Sequence, residues 1–172
     1  MKKIAYFLEF ILIKILFILF QLVGYRLSSN LGFLIGKIIG PIFRSKKIII
    51  QNLEKANIKL PASPHKIASN VLGNYGRIFA EYVYLKKFRN NELKKYVSID
   101  GLEHLENLKK SKKRAVFISG HFNNFELMAM QIEKAGIELA TIYRPLNNFL
   151  LNKTMEQIRT ENICKNQIKK GR

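Results

Sequence analysis

The sequence predicts an α/β fold, a parallel or mixed sheet flanked by helices and joined to an N-terminal membrane helix. Two observations carry that prediction. The chain opens on a long apolar run, and from Ala115 onward strand-like and helix-like stretches alternate. Strand, helix, strand, helix implies parallel pairing, because parallel neighbours need a crossover that a helix usually supplies. The expected organisation is a membrane anchor and interfacial segment over residues 1–45 and a body over residues 46–172. Repeats and low-complexity linkers are not seen.

Ile4 to Val23 is an apolar run of twenty residues, interrupted by Glu9, Lys14 and Gln21. Twenty helical residues span roughly 30 Å, the thickness of a bilayer core. Lys2 and Lys3 imitate the start of a signal peptide, but the run is too long and has no small-residue cleavage site. Glu9 and Lys14 near mid-span would each cost about 2.5–3.5 kcal/mol. Pairing, snorkelling or a shallow pose could offset that cost, so spanning and interfacial anchors both stay open. Arg26, Lys37, Arg44, Lys46 and Lys47 outnumber the two upstream lysines, which places the body on the cytoplasmic side. Leu31 to Phe43 is too short to span and is broken by Gly32, Gly36, Gly40 and Pro41. It lies in the interface, packs on the anchor, or forms an ordinary buried helix.

In the body, Ser63-Pro64 is a helix start, with Ser63 as N-cap and Pro64 at the first helical position. Ile67, Val71, Tyr75, Ile78, Phe79 and Tyr82 recur at helical spacing to about Tyr84, and Lys86, Lys87 and Arg89 close the helix. A strand is expected at Tyr96–Ile99, then a helix after Gly101. Ala115–Ser119 has the composition of a buried strand. A helix from about Asn123 to Ala135 stops at Gly136. Ile137–Tyr143 forms another strand, and Arg144-Pro145 turns the chain into a last helix through about Glu161.

Thirty Lys and Arg against twelve Asp and Glu give a net charge of +18. Nucleic acid, acidic lipid headgroups and an acidic carrier protein are all electrostatically suitable partners. A nucleic-acid binder would rest on charge alone, without a recognition motif, and would leave the anchor unexplained. The single cysteine, Cys164, excludes an intrachain disulfide and reads as a packing residue rather than a nucleophile.

Gly120-His121-Phe122-Asn123-Asn124-Phe125-Glu126 sits where an apolar strand gives way to a helix, the place where open α/β sheets carry their chemistry. On one continuous helix a step of five residues rotates a side chain by roughly 140°, so His121 and Glu126 could not share a face. With His121 before the helix and Glu126 in its first turn, the two converge. Glu126 would then accept the imidazole N–H and fix its tautomer, leaving the other nitrogen as a general base for an alcohol. Backbone N–H groups at the helix start could stabilise an oxyanion. Such a spacing also arises by chance, and His121 alone could be structural; its position at a strand end is what singles it out. His65 and His104 lack that context.

These segments resemble the lipid A biosynthesis acyltransferases, the lauroyl and myristoyl transferases of Gram-negative envelopes. The stretches that carry the resemblance are Gly120–Glu126 (GHFNNFE), Tyr143–Asn148 (YRPLNN), Asn74–Glu81 (NYGRIFAE), Gly101-Leu102, and Asn52-Leu53 after the apolar start. The resemblance implies a glycerolipid-acyltransferase-like fold and an inner-membrane enzyme facing the cytoplasm. It implies transfer of a fatty acyl group from acyl carrier protein to a hydroxyl of a lipid A precursor, with His121 as base and Glu126 as its support. Arg144 and Arg159 become candidates for binding a phosphate or the oxyanion; the alternatives are a turn-stabilising residue and a solvated helix position. Asn123 and Asn124 either cap the helix or touch substrate. The only cofactor expected is the acyl-acyl carrier protein co-substrate, with no metal.

Members of that family are nearly twice as long, and their later Asp-Gln segment has no counterpart here. The expectation is a truncated product or one half of a split protein, its sheet incomplete and its missing C-terminal half supplied by a second chain. The competing readings are a non-catalytic, basic, membrane-bound remnant that binds anionic lipid, and an acyltransferase acting on another glycolipid or glycerolipid.

Overall fold

The computed structural model describes residues 2–171, which are mostly helical and form two compact units. One unit is Phe17–Val83; the other joins the residues up to Leu16 with those from Tyr84 onward. The first helix, α1 (Lys2–Val23), contributes to both. It is long and apolar enough to cross a membrane, and most of it is exposed.

In the Phe17–Val83 unit, Gly24 ends α1 at φ +83°, a conformation that L side chains rarely adopt, and α2 (Tyr25–Phe43) follows. Then come α3 (Lys46–Ala56), capped by Ser45, and α4 (Pro64–Glu81), capped by Ser63, which accepts from the Lys66 N–H at 3.4 Å. The Ser63-Pro64 start is as expected, and the helix tightens to a 3-10 turn at Tyr82–Tyr84.

The helices α2 and α4 cross at backbone contact. A Cβ added at Gly32 would lie 2.6 Å from both the Gly76 carbonyl oxygen and the Ala80 Cβ, and one at Gly36 2.5 Å from the Leu72 carbonyl oxygen. Gly76 fills the reciprocal position against Gly32 and Gly36. Small residues four apart permit this approach in apolar helix pairs. Thus α2 is a longer helix than Leu31–Phe43, and its glycines face α4 while Leu34, Ile38, Ile42 and Phe43 are exposed. Phe17 and Phe20 of α1 pack on Phe79, with ring centroids 5.0 and 6.4 Å away. Glu81 is buried and accepts from Ser29 Oγ at 2.7 Å and Tyr25 Oη at 3.3 Å.

The other unit contains α5 (Leu85–Arg89), α6 (Leu102–Ser111), α7 (Glu126–Lys134), β1 (Ala140–Tyr143), α8 (Phe149–Asn162) and β2 (Asn166–Lys169). The two strands pair in parallel, from Ala140 opposite Asn166 to Tyr143 opposite Lys169, with α8 as the crossover. Tyr84, Leu85, Phe88, Met130, Ile132, Leu151, Ile163 and Cys164 are its buried apolar side chains. Asn148 caps α8, accepting from Leu150 and Leu151 N–H, and donates at 2.9 Å to both the Tyr6 carbonyl and Glu9 Oε2 on α1. Glu9, anomalous in an apolar run, therefore has a polar partner.

The expected sheet is only partly realised. Of its three strands only Ile137–Tyr143 is found, shortened to Ala140–Tyr143 and paired with β2, which was not expected; Tyr96–Ile99 and Ala115–Ser119 are not strands. Lys94–Tyr96 forms a 3-10 turn instead, and Val116 and Ile118 are 88% and 93% exposed. An extended apolar stretch becomes a strand only where another backbone offers its ladder groups, and among the described residues these two stretches find none. The expected helix at Asn123 starts later because Asn123 adopts a left-handed φ of +45°, and Asn124 and Phe125 complete turns into α7. Gly136, at φ +82°, ends that helix as expected.

Candidate active site

The candidate residues lie where the Ala115–Ser119 stretch leads into α7, in the unit that includes the residues from Tyr84 onward. The exposed Phe122 ring folds back over Gly120, where a Cβ would lie 2.5 Å from it. His121 is exposed, and its imidazole packs on Phe125 with ring centroids 4.3 Å apart and planes inclined by 58°. Asn123 and Asn124 form the turn between His121 and the helix. The α7 N-cap is Phe125, which brings no side-chain cap, so the capping role expected of the two asparagines is not realised.

Glu126 is the first residue of α7 and is 6% exposed. Its partner is Arg159 on α8: Nε and Nη2 donate to Oε1 at 2.8 and 2.6 Å. A carboxylate taken this far out of water needs charged donors, and a guanidinium supplies two from one plane. Two candidates expected separately are thus one ion pair across α7 and α8. It neighbours β1, because the Arg159 guanidinium carbon lies 5.9 Å from the Tyr143 ring centroid. Arg144 is exposed just after that strand.

Beside this pair is a network that the sequence did not announce. Tyr143 Oη donates to Glu156 Oε1, which also receives Asn152 Nδ2 at 2.9 Å and Lys169 Nζ at 3.1 Å. The Tyr143 hydroxyl, followed by Lys169 and Asn152, holds the Glu156 carboxyl below the usual carboxylate range, against a smaller opposing effect of burial. The Asn152–Glu156 spacing, one helical turn, was the available signal; the Tyr143 and Lys169 contacts are tertiary.

A shallow cleft of about 240 Å³ borders the start of α7, lined by Tyr96, Val97, Ser98, Ile99, Leu127, Met128 and Gln131. Its lining is largely apolar and includes the residues immediately after Glu126. The Tyr96–Ile99 stretch, expected as a strand, forms one wall.

The sequence matches the bacterial lipid A biosynthesis acyltransferase family over residues 1–166. No curated protein and no solved structure matches it. The matched span contains His121, the Glu126–Arg159 pair, Arg144 and the apolar α1. With nearly its entire length inside that match, the chain belongs to the bacterial lipid A biosynthesis acyltransferase family.

Proposed function

We propose that the chain transfers a fatty acyl group from acyl carrier protein to a hydroxyl of a lipid A precursor, with His121 as general base. One imidazole nitrogen of His121 takes the hydroxyl proton as the oxygen attacks the thioester carbonyl carbon. The tetrahedral intermediate collapses with cleavage of the C–S bond, and the imidazolium returns the proton to the departing thiolate. Glu126 orients the imidazole and stabilises its cation. A carboxylate has about four acceptor sites, so it can receive an imidazole N–H alongside the guanidinium. Arg159 fixes Glu126, and Arg144 at the exit of β1 meets a phosphate or the oxyanion. Asn123 and Asn124 contribute substrate contacts from the turn. The apolar cleft beside α7 receives part of an acyl chain. The chemistry uses side chains alone, with the acyl-acyl carrier protein as co-substrate and neither metal nor nucleic acid.

The observation that carries this proposal is the buried Glu126–Arg159 pair five residues after an exposed histidine, in a chain of this family. Acyl transfer in membranes holding the chain tests it. His121→Ala should lower turnover by about 10²–10⁴-fold, the usual weight of a general base. Glu126→Ala should show a comparable loss, and Arg159→Gln a smaller one. Unchanged turnover in His121→Ala would remove the mechanism.

The exposed Val116 and Ile118 favour a second reading, a non-catalytic membrane-bound protein that binds anionic lipid. No turnover from the parent, alone or with a co-purified second chain pairing along Ala115–Ser119, would select it. Turnover with a different glycolipid or a glycerolipid as acceptor would move the substrate assignment without touching the dyad.

A further inference from the structure

The crossing of α2 and α4 carries a basic cluster that the chemistry at His121 does not use. A Cβ added at Gly73 would lie 2.7 Å from Phe33 Cε2 and 2.9 Å from Lys37 Cγ. The bare glycine is what lets an aromatic ring and a lysine stem lie directly on α4. Over that ring stand Lys37 Nζ, 5.4 Å from the centroid, and the Arg77 guanidinium carbon, 4.8 Å from it. The ring's π face attracts each cation, so Phe33 holds both beside α4.

Among the described residues nothing completes this arrangement. Arg77 Nε is buried and has no hydrogen-bond partner among the described residues. Among the same residues no carboxylate lies within ion-pairing distance of Lys37 or Arg77. Buried N–H donors are almost always satisfied, so an orphan beside a second cation marks a place for an anion. A guanidinium edge together with an ammonium suits a tetrahedral oxyanion, which offers several oxygens to donors from different directions. The setting narrows the source. Leu34 and Ile38, neighbours on α2, are exposed apolar residues, so the half-buried Lys37 and Arg77 are set in an apolar surface. Long basic side chains in such a surface place their charges at headgroup level.

We propose that Lys37 and Arg77, each held against Phe33, form a binding site for a phosphate group, either that of an anionic phospholipid or a free phosphate. The chemistry proposed at His121 does not use these residues, so the test needs no turnover.

The full chain in a neutral detergent is titrated with inorganic phosphate and, separately, with a short-chain phosphatidylglycerol. Binding is followed by calorimetry and by the Arg77 Nε–H resonance. That resonance should move with at least one probe. Lys37→Gln and Arg77→Gln should each weaken binding about tenfold, the weight of one charge-assisted hydrogen bond, and Lys37→Arg should restore it. Tighter binding of the phospholipid than of inorganic phosphate identifies a lipid headgroup as the ligand, and equal affinities identify phosphate alone. A resonance that stays in place with both probes overturns the proposal, and this readout on the parent decides even if a variant fails to fold. Equal weakening by Lys110→Gln with Lys113→Gln would also overturn it, by reducing the effect to net charge.

Discussion

Glu126 and Glu156 are two carboxylates on neighbouring helices with different settings. Glu126 is buried and held by one guanidinium; Glu156 gathers a phenol, an amide and an ammonium. The second network has a defined pH response. Its native pKa is depressed, so the stabilisation is complete above the ordinary carboxylate value and is lost as pH falls through the lower native one. Glu156→Gln should therefore cost about 1–2 kcal/mol at pH 7, and the gap between parent and variant should close on acidification. Urea denaturation in detergent at a series of pH values checks this, and a constant gap would contradict it. The His121-to-Glu126 spacing was legible because it is local and lies at a chain turn. The Arg159 partner was not, because 33 residues separate it from Glu126 and only the packing of α8 on α7 brings them together.

At the scale of elements, helices were read well and strands poorly. The caps at Ser63 and Gly136 are local chemistry and stand where the sequence places them. Ala115–Ser119 is apolar in the manner of a strand, yet composition cannot supply the second backbone that a ladder requires. The glycines of α2 were legible as letters but not in purpose. They interrupt an apolar stretch, and their spacing lets α4 come to backbone distance. Gly36→Val should destabilise the chain by about 1–3 kcal/mol, the usual cost of overpacking, because the new side chain meets the Leu72 carbonyl. Gly24→Ala should act through backbone strain instead, since a Cβ there meets nothing within 4 Å. Thermal unfolding of the two variants beside the parent separates crowding from strain, and an unaltered Gly36→Val would refute the close crossing.

For the whole molecule, an apolar first helix, a strong positive charge and the family membership point to work at a bilayer surface. The chain should stay with the membrane fraction through a high-salt wash, since α1 holds it by apolar burial, whereas purely electrostatic attachment would be screened away. Release by salt would contradict an embedded α1. The contact of Asn148 with the Tyr6 carbonyl and Glu9 joins positions at opposite ends of translation. At ribosomal speeds of about 5–20 residues per second, Glu9 waits about 7 to 28 s before Asn148 has been synthesised. During that interval the Glu9 carboxylate lacks the amide that it accepts from in the finished chain. The contact therefore forms only after most of the chain has been made, and any product ending before Asn148 leaves Glu9 without this partner.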